Sequence, residues 1–111
     1  MIQVADVILH IDELEKWSLV LGNVRNLKKA QASLKIEVVA NAAAVKGYLD
    51  SVLLEEIKPL IEQHVWFVAC NNALRAHEIK ENDLAPEIKI VPSGVMELVV
   101  QQQAGAAYVK P

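Results

Sequence analysis

The chain has 111 residues, of which 53% are hydrophobic and 23% charged, with a net charge of −3 and only four Gly and four Pro. That composition fits a single domain over residues 1–111 with a real core and excludes a low-complexity or linker-dominated chain. Charges of both signs are interspersed, so nucleic acid is not an expected partner. Charge also breaks every apolar stretch before the ~20 residues a membrane helix needs.

One cysteine, Cys70, cannot form an intrachain disulfide, and the opening residues MIQVAD lack the basic start of a secretory signal. The expected location is therefore cytoplasmic. A mean hydropathy of +0.24 is high for so short a chain. Small domains have much surface for their volume, so part of this apolar content is expected between subunits of a homo-oligomer.

The elements alternate strand and helix. Residues 4–11 (VADVILHI) are mostly apolar and β-branched and read as a first strand. Over residues 13–30 the period changes: Leu14, Trp17, Leu21, Val24 and Leu27 form one helical stripe. Asp12, with Glu15 three residues later, has the form of a capping box for that helix. Residues 34–40 (LKIEVVA) give a second strand, residues 42–50 a short helix, and residues 53–63 another. Pro59 is predicted to kink or end this last helix, because an interior proline costs about 3 kcal/mol.

Residues 65–70 (VWFVAC) are an unbroken apolar run. Such runs, without alternation, mark strands buried on both faces of a parallel sheet. Residues 71–87 show no firm helical pattern; residues 88–91 are a short strand, 95–103 a helix and 106–109 a last strand. Together these elements predict a three-layer α/β/α sandwich with a mainly parallel sheet of about five strands. Strand order is not readable from the pattern.

In open parallel sheets, ligands bind beyond the carboxyl ends of the strands. His10 and Asp12 follow the first strand, Asn41 the second, Cys70, Asn71 and Asn72 the third, and Ser93 and Gly94 the fourth. Asp12, Asn41, Asn71 and Ser93 are all preferred helix N-caps, which is the simplest account of each. A cap also orients backbone N–H groups toward anything bound there.

Cys70 caps poorly, which leaves two readings. It is either a small buried hydrophobe or a thiol whose pKa is lowered by the helix start beside it. His10 and His77 are candidate partners for the sulfur, and Arg75 lies in the same long segment as His77. His64 is not a candidate, since it begins the strand that Cys70 ends, about 20 Å away. With no CxxC, HExxH or HxH spacing, no metal is expected. No glycine-rich phosphate loop or GxSxG elbow is present either, so no nucleotide cofactor and no serine hydrolase is indicated. A trio of Cys70, His77 and Asp12 could be drawn as a hydrolase, but almost any α/β chain offers one. Trp17 and Trp66 read as packing.

The segments HIDELEKW (10–17), EVVANAAAV (37–45), FVACNNAL (67–74), VPSGVMELV (91–99) and AGAAYVKP (104–111) resemble the DsrE/DsrF-like proteins, and most closely their small stand-alone branch. The resemblance covers nearly the whole chain and is most specific at ACNN and VPSGV. It implies a parallel five-stranded α/β/α fold assembled as a trimer or hexamer. It also implies a cysteine, here Cys70, that carries sulfur as a persulfide between a donor and an acceptor protein. In that reading Asn71, Asn72 and backbone N–H groups stabilise the anion, and His10 or His77 holds a proton. The alternatives are an oligomeric module holding a small anion at helix N-termini with Cys70 as packing, and an oligomer with no small-molecule site.

Overall fold

A computed structural model describes residues 3–111. Among these, five strands form one sheet: β1 (Val7–Ile11), β2 (Ile36–Ala40), β3 (Val65–Cys70), β4 (Lys89–Val91) and β5 (Ala107–Val109), in the order β4-β3-β2-β1-β5. All four pairings are parallel, with Val7 opposite Ile36 and Ile36 opposite Val65. The central strands β2 and β3 are the apolar runs, since only strands covered on both faces can bury side chains in both directions.

Helix α1 (Trp17–Ala30), a 3₁₀ run (Ala42–Leu49), α2 (Ser51–Glu62) and the short α3 (Asn71–Ala76) pack on one face. There Trp17, Tyr48 and Phe67 meet, with ring centroids 5.2 and 6.4 Å from Trp17. Helix α4 (Gly94–Gln103) alone covers the other face, through Leu98 against Ile8, Val39 and Val68. The handedness of parallel crossovers explains this split. The chain steps one way from β1 to β4, then reverses to place β5 beyond β1, so its last crossover lies on the opposite side.

Several local expectations are corrected. The first strand begins at Val7, because Asp6 turns aside to accept the Lys35 backbone N–H. The capping box of Asp12 and Glu15 does not form: residues 14–16 are a 3₁₀ turn, and the Asp12 carboxylate pairs with Lys110 at 3.1 Å. The short helix expected over residues 42–50 forms as a 3₁₀ run, Ala42–Leu49. Asp50 then caps α2 by accepting the Val52 and Leu53 N–H groups. Pro59 neither ends nor shortens α2, which runs on to Glu62. One missing N–H near a helix end is offset by burying Ile57 and Leu60 in the core. Residues 71–76 form α3, although the sequence pattern there is weak.

Candidate functional site

The helices that follow adjacent strands β3 and β4 leave to opposite faces of the sheet. This is the topological switch point, where a crevice opens outside the carboxyl ends of the strands. Cys70 ends β3 and is the N-cap residue of α3, making no side-chain capping bond. Ser93, after β4, caps α4 by accepting the Met96 N–H at 3.2 Å. Gly94 follows it as the first residue of α4, wedged between two neighbours. A Cβ placed on Gly94 would lie 3.0 Å from the Cys70 Cβ, 3.3 Å from the Asn41 Cβ and 3.6 Å from the Cys70 Sγ. Only glycine lets the helix start come this close to the sulfur.

Asn41 sits at the N-cap position of the 3₁₀ run without capping it. Its Oδ1 instead faces the His10 Nε2 at 3.0 Å, and the His10 Nδ1 faces the Tyr108 hydroxyl at 2.7 Å. An amide oxygen only accepts, so Nε2 carries the hydrogen and Nδ1 of the neutral ring accepts from Tyr108. The order is therefore Tyr108 O–H to His10 to Asn41, which leaves the Asn41 amide N–H groups uncommitted to the histidine. Two strand spacings, ~10 Å, separate β1 from β3, so His10 bears on the thiol side only through Asn41.

The structure thus gathers Cys70, Asn41, Gly94 and Ser93, with Asn71 adjacent in the chain, and ties His10 to them. Asn72 is exposed on α3. His77 is placed elsewhere. It follows the last turn of α3, whose six residues carry it roughly 10 Å from the helix start. Asp12 stays with Lys110, whose ammonium holds its carboxyl below the usual range. The hydrolase trio of Cys70, His77 and Asp12 is therefore not assembled.

Cys70 keeps only 6% of its surface exposed. Beside it, a shallow cleft is lined by Val91, Pro92, Ser93 and Met96. A larger groove between α1 and α2, lined by Arg25, Lys28 and Glu56, opens at the opposite end of the sheet and holds none of these residues. Among the described residues, no three His, Cys, Asp or Glu side chains converge on a point where they could hold a metal. No described helix is long and apolar enough to cross a membrane.

Tyr108 is the site residue that sequence reasoning missed. It lies on β5 opposite Ile8, on the same face as His10. Nothing in a linear pattern pairs the last strand with the first.

The fold is shared with solved structures. The protein MTH1491 from Methanobacterium thermoautotrophicum, of unknown function, superposes with a TM-score of 0.88 and 38% identity over 95% of this chain and 97% of its own. The ychN protein from E. coli gives a TM-score of 0.77 over 98% of this chain and 100% of its own; at 16% identity the likeness shows the fold alone. No curated protein matches the chain. The DsrE/DsrF-like family matches over residues 20–111, a span that takes in Asn41, Cys70, Gly94 and Tyr108, and the chain belongs to that family.

Proposed function

We propose that this chain handles sulfur, with Cys70 accepting a sulfane sulfur and passing it on. The family's general link to intracellular sulfur relay supports this reading. The observation that carries it is the position of the Cys70 sulfur at the β3/β4 switch point, against the first residue of α4 and across from Asn41. The Cys70 thiolate attacks the outer sulfur of a donor persulfide. A Cys70–sulfur bond forms, the donor S–S bond breaks, and the donor leaves as a thiolate that takes up a proton. Asn41 amide N–H groups and the start of α4 are the donors available to the new persulfide anion. The step needs a donor protein or small persulfide, an acceptor, and a reducing compartment such as the cytoplasm.

A homo-oligomer belongs to the same reading. Helix α4 is apolar beyond its buried stripe, with Val95 61% and Met96 55% exposed beside the site, and a second copy would cover that surface. Mass measurement tests the chemistry. Reduced protein incubated with a sulfane-sulfur donor gains about 32 Da, one sulfur atom, and Cys70→Ser gains nothing. An unchanged wild-type mass overturns the proposal.

The 6% exposure of Cys70 favours a second reading, an anion-binding module in which the cysteine is packing. In that case Cys70→Ser retains thermal stabilisation by small anions, and wild-type protein takes up no sulfur.

A further inference from the structure

On the face covered by α4, the middle strand carries an acid where an apolar residue is the rule. Glu37 on β2 is fully buried, and so is Gln101 on α4. The Glu37 Oε2 accepts from the Trp66 indole N–H and, at 3.4 Å, from the Gln101 amide. Its Oε1 has no partner. Gln101 is a clamp: its Oε1 accepts the Ala5 N–H at 2.9 Å, and its amide also donates to Gln3 O at 2.7 Å and to the Glu97 Oε2 at 3.2 Å. Two amide hydrogens thus face three acceptors, and two of those acceptors are carboxyl groups. The arrangement is satisfied when one acid carries a proton, and Glu37 Oε1 is the oxygen without a donor.

We propose that α4 is a proton-dependent cover over Cys70, latched to the sheet by the Glu37–Glu97 carboxyl pair through Gln101. The latch lies two turns along α4 from Gly94, the residue packed against the Cys70 side chain. With one proton on the pair, α4 stays down and the thiol is covered. When the proton leaves, two carboxylates, Glu37 buried and Glu97 half-buried, face one Gln101 amide with too few donors, and the helix lifts. Burial pushes the Glu37 carboxyl up to about 8, and Glu97 beside it acts in the same direction. The Trp66 N–H and Lys89, on neighbouring strands, oppose them. Tyr48, buried beneath the sheet, is held neutral well above its usual value and does not compete for the proton.

The bearing of this cover on sulfur transfer rests on the function proposed above; the latch itself does not, and its test uses no sulfur donor. Alkylation of Cys70 by iodoacetamide is compared at about pH 9 in wild type, Glu37→Gln and Glu97→Gln, so that thiol ionisation is matched. Glu37→Gln is expected to react roughly tenfold or more slowly than wild type, which is one pH unit's worth of latch closure, and Glu97→Gln, in which Glu37 stays buried, at an intermediate rate. Amide exchange at Leu98 and Gln101, referenced to β2 amides, is expected to accelerate above about pH 8 in wild type, less in Glu97→Gln and not in Glu37→Gln. Should Glu37→Gln fail to fold, Glu97→Gln carries both comparisons. Equal alkylation rates, or α4 amides that open no earlier than β2 at any pH, overturn the latch. Loss of sulfur uptake with the latch intact would overturn the sulfur reading alone.

Discussion

Gly94 leaves no room for a methyl group against Cys70: a Cβ there would sit 3.0 Å from the Cys70 Cβ, with Asn41 at 3.3 Å on the other side. Cys70 ends β3, and Asn41 directly follows β2 with its N–H donating to the Ile11 carbonyl at 3.1 Å, so both are fixed and α4 must give way. Gly94→Ala is therefore expected to destabilise by about 1–3 kcal/mol, because overpacking outweighs alanine's better helix propensity of ~1 kcal/mol. Thermal unfolding measures this, and faster alkylation of Cys70 in the variant would show that the helix start has lifted. A variant as stable as wild type would mean that the first turn of α4 is soft.

Gly47 makes a sharper case at the opposite face. A Cβ there would stand 2.2 Å from the Trp17 Nε1, the atom that donates to Ala44 O at 2.8 Å. Gly47→Ala displaces the indole and strips a buried carbonyl of its donor, so the cost exceeds overpacking alone. A loss of about 3 kcal/mol or more is expected, read by chemical denaturation. The site chemistry at the carboxyl edge should survive in whatever fraction stays folded.

Tyr108→Phe removes the hydroxyl that holds the His10 ring nitrogen while leaving the ring contact, whose centroids are 5.8 Å apart. The effect on stability is small, about 0.5–1.5 kcal/mol, the net worth of one hydrogen bond. The informative readout is nitrogen NMR of the imidazole. Wild type is expected to show Nε2 protonated, and the variant a mixture of tautomers. An unchanged tautomer would mean that Asn41 alone orients the ring.

The residues of the candidate site and its surroundings show what the sequence made legible. Buried strands announce themselves as apolar runs, so β3 ending at Cys70 and the candidate edge beyond it could be read directly. Capping preference was a weaker guide, because Ser and Asx side chains serve any nearby partner. Of the four expected caps, Ser93 alone caps a helix. Asn41 bonds to His10 and Asp12 to Lys110, both set by which strands are neighbours. That order depends on the chain reversing after β4, which leaves no local mark. Pro59 does not end α2, since a propensity is a weak prior against a buried face. Glu37, an acid set between Ile36 and Val38 in LKIEVVA, was a visible signal that the pattern reading passed over as part of a strand.

That acid sets the pH dependence of the fold. A buried carboxyl held up to about 8, against an ordinary value of 4.5, binds its proton more tightly in the folded chain than in the unfolded one. Its contribution is therefore complete below about pH 4.5 and is lost as pH rises toward about 8, at a slope of no more than about 1.4 kcal/mol per pH unit. This is opposite to the usual paired carboxylate, which loses stability as acid is added. Denaturant midpoints followed from about pH 5 to 9 are expected to fall in wild type and stay nearly level in Glu37→Gln, which cannot ionise. Glu97→Gln should show an intermediate slope, because burial, the first cause of the shift, remains after its like-charge neighbour is gone. A wild-type midpoint that rises or stays flat over this range would mean that Glu37 is already ionised in the folded protein, and that water or Lys89 supplies the donor its Oε1 lacks.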